Sequence, residues 1–502
     1  MKSYLNARIA RIERSVKFPE REQQNTLDYL LAKGAKTEFG NHYNFKELKS
    51  YEHFKKNVPI SEYEVLHPYI LRCTKGEENV LWPGKVKWFA KSSGTTNSKS
   101  KFIPLTHESI HYNQVRGGKD LIATYYNMNP DSKMFEGKSL IIGGSMQPLE
   151  NSTARCGDLS AVLIHQMPEW LQVFREPSRT IILMGKWEEK IDAIVAKCIH
   201  SDMRSVSGVP TWMLMIFKRL LEVSSKSTVV EVWPNLELFV HGGVNFQPYR
   251  KQFENIIGKE IFYLDAYNAS EGFFAFQDTK SNENGMLLHT GVGIFYEFIP
   301  SEEFNSTKPI AIPLADVEVG KNYAIVISTN GGLWRYVPGD TVVFTSKKPY
   351  RILVSGRTKH FINIVGEEVM VHNTDKAIAL ACEELNCSVK DYTVAPMYLT
   401  TEKSGAHEWA IEFDFLPTDL SQFSNRLDYH LQSVNSDYEA KRSGNLALDQ
   451  PAIHALRIGT FYGWLASKNK LGGQHKVPRL SNERKYLEEI INFATIENKR
   501  KK

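Results

Sequence analysis

Between Lys138 and Phe298, short apolar runs bounded by glycine or polar residues alternate with longer stretches of mixed character. Residues 139–142, 180–183, 236–240 and 261–264 read as strands with helices between them, the pattern of a layered α/β domain. Residues 212–221 follow Pro210, a favoured first helical position, and are apolar on more than one face. They read as a core helix, with the wall of an acyl pocket as the competing reading. After Lys308 the period changes to two, and residues 324–328, 333–337 and 341–345 read as strands. The turns joining them, at Asn330-Gly331-Gly332 and Pro338-Gly339, suit a small antiparallel subdomain. The first eighty residues read as helical and then irregular, with a short stripe of Leu27, Leu30 and Leu31. Past a polar break at 354–359 the organisation changes again. Residues 374–384 and 420–434 read as helices, and 408–415 as a strand with Trp409, Ile411, Phe413 and Phe415 on one face.

A chain of 502 residues is too long for one core, so more than one domain is expected. The pattern divides it into a large layered α/β N-terminal domain, 1–355, with a β-rich subdomain at about 308–355, and a smaller α+β C-terminal domain, 356–502. Hydrophobic residues make up 42% and charged residues 24%, the ordinary globular range. A net charge of +5 is mild over this length and predicts no nucleic-acid partner; the basic end at Lys499, Arg500, Lys501 and Lys502 reads as a tail. Cys73, Cys156, Cys198, Cys382 and Cys387 have no zinc-like spacing and read as reduced intracellular thiols. No apolar signal core opens the chain, and no run approaches the roughly 20 apolar residues that span a bilayer. The expectation is a cytoplasmic monomer with no membrane partner.

Four clusters carry candidate chemistry. Residues 92–101 read Ser-Ser-Gly-Thr-Thr-Asn-Ser-Lys-Ser-Lys between the apolar runs 86–90 and 102–105. Free backbone N–H groups and hydroxyls donate to phosphate oxygens and a lysine offsets their charge; a solvated hairpin tip has the same composition. Tyr267-Asn268-Ala269-Ser270-Glu271 follows an apolar strand, and in open α/β sheets ligands collect outside the carboxyl ends of strands. Glu271 suits Mg²⁺, which takes one or two carboxylates, or equally the first turn of a helix. Asp340, after Pro338-Gly339, has two acceptor oxygens for the two hydroxyls of a ribose, or is turn chemistry. Gly472-Gly473 with Lys476 and Pro478 suits a cationic loop that closes on a reacting phosphate, or a solvated surface lysine.

This succession of phosphate loop, Tyr-x-x-Ser-Glu, Tyr-x-x-Gly-Asp and Gly-Arg resembles that of the acyl-adenylate-forming enzymes. Within them it is most similar to the auxin-responsive Gretchen Hagen family of acyl acid–amido synthetases. The resemblance covers essentially the whole chain, including Thr-Glu-Phe-Gly at 37–40, Val-Pro-Ile at 58–60, Pro-Tyr-Ile at 68–70 and Leu-Trp-Pro-Gly at 81–84. At the far end it includes Leu-Arg-Ile-Gly-Thr-Phe at 456–461 and Gln-His-Lys-Val-Pro-Arg at 474–479. It implies that Ser92, Ser93, Gly94, Thr95 and Thr96 grip the β- and γ-phosphates of ATP with Lys101 behind them, and that Gly242 and Gly243 form the adenine wall. Tyr267, Ala269 and Ser270 would line the nucleotide site, with Glu271 on Mg²⁺ and Asp340 on the ribose. Arg357 would lie at the hinge, and Lys376 and Lys476 would be the lysines that the C-terminal domain brings. Asn97 and Ser98 stand where the family often has glycine. Val337-Pro338 replaces a usual arginine-containing pair, which leaves Arg335 as a candidate substitute.

The implied reaction activates a carboxylic acid as its acyl-AMP and then transfers the acyl group to an amine such as an amino acid. Two other readings compete: an acyl-CoA ligase with a thiol acceptor, and a nucleotide-binding protein without turnover. The closing Gln-His-Lys-Val-Pro-Arg resembles the amido synthetases rather than the thioester formers.

Overall fold

The computed structural model describes the chain except residues 1, 93–100, 150–151, 153, 244–245, 247–248, 282–283, 305, 359–360, 363, 365–366, 368, 398–404, 436–437, 440–441, 443–447, 469–476 and 501–502. Two compact units result: Met1–Val244 with Ile256–Leu353, and Asn245–Asn255 with Val354–Lys502. The second unit thus takes a short excursion from the middle of the chain as well as the C-terminal third.

The first unit is built on an eleven-stranded sheet. Its parallel part runs Lys138–Ile141, Met203–Gly208, Leu238–Gly242 and Phe262–Ala269. Helices bridge these strands, as parallel pairing requires; one of them is Pro210–Ser224, with proline at its first turn. From Phe262–Ala269 the sheet continues through antiparallel pairs to Gly272–Phe276, Met286–Leu288 and Tyr350–Arg357. Asp340–Lys347, Asn322–Thr329 and Ile294–Pro300 extend it toward the other edge. Both faces are covered, so Ile294–Pro300 and Asn322–Thr329 are buried along nearly their whole length rather than alternating. The helices Lys2–Lys17 and Pro19–Gly34 pack against this unit, with Leu27, Leu30 and Leu31 in its core. A second, four-stranded sheet holds Trp88–Ser92 against Lys101–Leu105 in an antiparallel hairpin.

In the second unit, Ser388–Met397, Ala406–Phe415 and Ala452–Leu456 form a three-stranded sheet. The helices Val371–Leu385 and Leu420–Val434 share a core with it that contains Tyr392, Trp409, Ile411, Phe423 and Leu427.

Three local expectations fail. Residues 180–183 are not a strand; Arg179–Ile182 is a single helical turn. A run of four apolar residues fits either period, and here its Ile182 is drawn under Gly143. Residues 333–337 form no strand either. Arg335 has φ +42°, which breaks an extended ladder, and Leu333, Trp334, Arg335 and Tyr336 are all buried, leaving no solvent face. Phe415 leaves the apolar face assigned to it and is 72% exposed at the end of its strand, whereas Trp409, Ile411 and Phe413 are buried.

Candidate functional site at the carboxyl ends of the parallel strands

The parallel strands deliver Gly208, Gly242 and Ala269 to one end of the sheet. Gly242 pairs with Ala266, and a Cβ at Gly242 would stand 2.2 Å from the Ala266 carbonyl oxygen. Only glycine permits that approach. Gly243 follows at φ +77°, a backbone that glycine adopts without cost. Beside them His241 Nδ1 lies 3.5 Å from the Asp265 carboxylate.

The strand expected to end near Asp265 runs on to Ala269, so Tyr267 and Ala269 are strand residues and not a loop. Ser270 and Glu271 form the two-residue turn of a hairpin whose last pair is Ala269–Gly272. Glu271 is therefore at a hairpin tip and not in a helical first turn. The hairpin is held from outside by Ser109–Gln114, which is a π-helix. Gln114 Nε2 donates to the Ala269 carbonyl at 3.0 Å, and Asn113 Oδ1 accepts from the Phe273 amide at 2.8 Å. Single π-turns recur at functional sites. No feature of the sequence marks this one, and Asn113 and Gln114 went unnoticed there.

Asp340 opens the strand Asp340–Lys347 after Gly339, which has φ +94°. Its Oδ2 accepts a hydrogen bond from the Tyr267 hydroxyl at 2.7 Å. Two motifs 73 residues apart in sequence thus meet in one contact. Ser270 Oγ, Asn268 Oδ1 and Gln114 Oε1 are sealed from solvent and lack partners among the described residues. Buried polar atoms are normally satisfied, so an orphaned set around a hairpin tip and a carboxylate fits a polar ligand such as a nucleotide. Among the described residues no group of three or more His, Cys, Asp or Glu could hold a metal ion. A single carboxylate such as Glu271 fits only a cation completed by substrate oxygens and water, which is the habit of Mg²⁺.

Ser92 pairs with Lys101, so residues 93–100 connect two adjacent strands; Ser93, Gly94, Thr95, Thr96 and Lys476 themselves lie outside the described residues. Lys101 places its ammonium 5.5 Å from the centre of the Tyr63 ring, and the Tyr63 hydroxyl accepts from the Phe102 amide at 2.8 Å. Arg357 ends the strand Tyr350–Arg357, and Lys376 stands exposed on the helix Val371–Leu385; both belong to the second unit.

Arg335 is no substitute ligand. Its guanidinium is buried in a paired contact with Glu297 at 2.8 and 2.7 Å, and Nη1 donates to the carbonyls of Lys55 and Val58 at 3.0 and 2.7 Å.

A further residue lies in the closing motif. Arg479 stacks 4.3 Å from the Tyr392 ring centre, pairs with Asp391 at 3.2 Å and donates to the Tyr249 hydroxyl. Tyr249 belongs to the excursion that follows Gly243 in the chain, and Arg479 follows Lys476 by three residues. The sequence signalled the motif but not what its arginine holds.

A parallel sheet continued by antiparallel strands, with ligand-type residues at its strand ends and a smaller α+β unit, is the fold of the acyl-adenylate-forming enzymes. The chain superposes on the GH3.15 acyl acid amido synthetase with a TM-score of 0.79 at 17% identity, covering 98% of this chain and 96% of the other. Against 2-hydroxyisobutyryl-CoA ligase the TM-score is 0.56 at 11% identity, covering 95% and 92%. The chain belongs to the GH3 family: residues 8–261 match the GH3 family N-terminal domain, 287–357 its central domain and 372–485 its C-terminal domain. Among curated relatives, jasmonoyl–L-amino acid synthetase GH3.5 of Oryza sativa subsp. japonica is 24% identical over 92% of each chain. Indole-3-acetic acid-amido synthetase GH3.4 of Arabidopsis thaliana is 23% identical over 93% of this chain and 90% of its own. No helix among the described residues is long and apolar enough to cross a membrane.

Proposed function

We propose that this protein is an ATP-dependent acid–amine ligase: it adenylates a carboxylic acid and then conjugates the acyl group to an amine, with an amino acid as the expected acceptor. The observation that carries the reading is the 2.7 Å contact between Tyr267 and Asp340, made within a chain that matches three successive GH3 domains. The contact orients the Asp340 carboxylate, a group whose oxygens are acceptors suited to ribose hydroxyls.

In the first half-reaction an oxygen of the substrate carboxylate attacks the α-phosphorus of ATP and pyrophosphate leaves. The protein's part is positioning and charge stabilisation. Ser92, Ser93, Gly94, Thr95 and Thr96 hold the β- and γ-phosphates and Lys101 offsets their charge. Gly242 and Gly243 let the backbone lie flat against adenine, and Tyr267, Ala269 and Ser270 line the nucleotide. Glu271 would hold Mg²⁺, which supplies Lewis-acid neutralisation of phosphate charge. In the second half-reaction the amine nitrogen attacks the acyl carbonyl, loses a proton and expels AMP. Residues 1–355, with the β-rich part at 308–355, serve as the substrate domain. Residues 356–502 serve as a mobile lid turning near Arg357 and contributing Lys376 and Lys476. The same reading makes the protein a cytoplasmic monomer.

The test is exchange of labelled pyrophosphate into ATP with a panel of carboxylic acids, followed by product analysis with amino acids or coenzyme A. Acid-dependent exchange and an amide product are expected. A thioester product would replace the reading with an acyl-CoA ligase, and no exchange with any acid in folded protein would leave a nucleotide-binding protein. Lys476→Ala should lower turnover with little change in KM for ATP.

A further inference from the structure

The Arg175 guanidinium carries a charge that no side chain among the described residues meets. Its backbone is fixed: the amide donates to the Gln172 carbonyl at 3.1 Å, and the residue bridges Ser139 at the edge of the large sheet. Its guanidinium makes no side-chain hydrogen bond or ion pair with the described residues, and Nη1 is sealed from solvent. Burial, with the neighbouring cation Arg179 acting in the same sense, pulls its pKa down to about 10. It is charged at neutral pH all the same.

Two further buried donor atoms, Arg179 Nε and Gln172 Nε2, also lack partners among the described residues. Arg179 spends Nη2 on the Met167 carbonyl at 3.0 Å and on Glu169 at 3.0 Å. Glu169 is 82% exposed, and Arg179 Nε stays buried without a partner. Gln172 Nε2 is buried without a partner too. His165, on the helix Leu159–His165, is pushed toward its neutral form by burial and by Arg155 and Arg179. Glu176, the acid next in sequence, turns to Ser201 and to Lys138 at 4.0 Å. Arg175 Nη1, Arg179 Nε and Gln172 Nε2 are thus three buried donor atoms with no partner among the described residues, the complement of an anion. An unpaired, desolvated cation is costly, and the planar fork of arginine matches carboxylate or phosphate oxygens. The position is also apt. Ser139 lies in the strand Lys138–Ile141, and Ile182, at the end of the helical turn that Arg179 begins, packs under Gly143 just past that strand's carboxyl end.

We infer that Arg175, Arg179 and Gln172 form an oxyanion site in the first unit, which takes either the carboxylate of a reactant or free inorganic phosphate. The site stands whether or not the ligase reading does, because its readout is binding and not turnover.

The test compares thermal melting of the full-length wild type and Arg175→Met at fixed ionic strength, with chloride, inorganic phosphate, amino acids or dicarboxylic acids. An uncompensated buried cation opposes folding, so without anion the Met variant should melt at or above the wild-type temperature. Anion near a hundredfold excess over its Kd should raise the wild-type Tm by about 2 °C or more and leave the Met variant unmoved. A shift with phosphate alone assigns the site to a free anion, and a shift with amino or dicarboxylic acids assigns it to a reactant. Arg175→Lys, which keeps the charge and loses the fork, should bind the same anion about tenfold more weakly by calorimetry. The inference is overturned if no anion shifts the wild type or if the Met variant shifts equally. It is also overturned if the Met variant melts lower or fails to fold, since Arg175 would then be structural.

Discussion

Arg335, fully buried, and Arg175, partly buried with its Nη1 sealed from solvent, both lie in the first unit, and the fold treats them in opposite ways. Every hydrogen-bond partner of the Arg335 guanidinium is an acceptor: Glu297 in a two-point contact, then the carbonyls of Lys55 and Val58, with Tyr51 donating to Glu297 at 3.0 Å. Around Arg175, its own Nη1, Arg179 Nε and Gln172 Nε2 are buried donor atoms with no partner among the described residues. A buried cation whose partners are built in holds structure together. One whose partners are missing spends stability on something that arrives from outside. The same residue type, fully buried at Arg335 and partly buried at Arg175, separates architecture from candidate function by its partners.

The sharpest way to break this comparison is to truncate both. Arg335→Met leaves Glu297 buried and uncompensated at 1% exposure. Removing one partner of such a pair costs about 3–5 kcal/mol, and denaturation followed by a probe of the first unit should show a loss of that size. Arg335→Met combined with Glu297→Leu should recover most of it, because replacing both ions with apolar groups is often neutral. If Arg335→Met and Arg175→Met cost the same, the distinction drawn from their partners is wrong.

These arginines also mark what a sequence can and cannot say. Helices 371–385 and 420–434 and the strands around 324–328 and 341–345 were legible because long periodic runs carry their own signal. The glycines, Tyr267, Glu271 and Asp340 stand out as candidates because their order along the chain resembles a family, and the structure brings Tyr267 and Asp340 into contact. What Arg335 does was not legible. It sits in a stretch that looks extended, and only a left-handed backbone at φ +42° turns it toward Glu297. Arg175, Asn113 and Gln114 were equally silent, since burial without a partner and a π-turn are properties of tertiary packing and leave no local pattern.

A smaller effect is expected where Arg479 gathers Tyr249, Asp391 and Tyr392 in the second unit. Arginine there both stacks and donates, which lysine cannot reproduce. Arg479→Lys should cost about 1.5–3 kcal/mol, the scale of charge-assisted hydrogen bonds, measured as the melting of the second unit. The pH dependence has a definite sign. Burial raises the Asp391 pKa, with Arg479 opposing, so its folded value lies above the unfolded one of about 3.9. The Asp391 contribution is then full below that unfolded value and is lost as pH rises through the folded one. Removing the cation in Arg479→Met enlarges the shift, so that variant's deficit should grow between pH 4 and 7. A deficit independent of pH would show that Arg479 acts through packing alone.

The smallest effect is expected at the nucleotide-type contact and is best read as a coupling. Tyr267→Phe removes one hydroxyl with its hydrogen bond to Asp340 Oδ2 and keeps the ring 4.9 Å from that of Phe274. If the hydroxyl orients the carboxylate for a ribose, it should weaken ATP affinity by about 1 kcal/mol, roughly fivefold, with kcat little changed. Asp340→Ala should weaken ATP more. The double variant should be no worse than Asp340→Ala, because an orienting hydroxyl has nothing left to orient, and the coupling should fall in the 0.5–3 kcal/mol range of contacting pairs. Strict additivity would mean that Tyr267 and Asp340 touch the nucleotide independently, and the 2.7 Å contact between them would be packing rather than preorganisation.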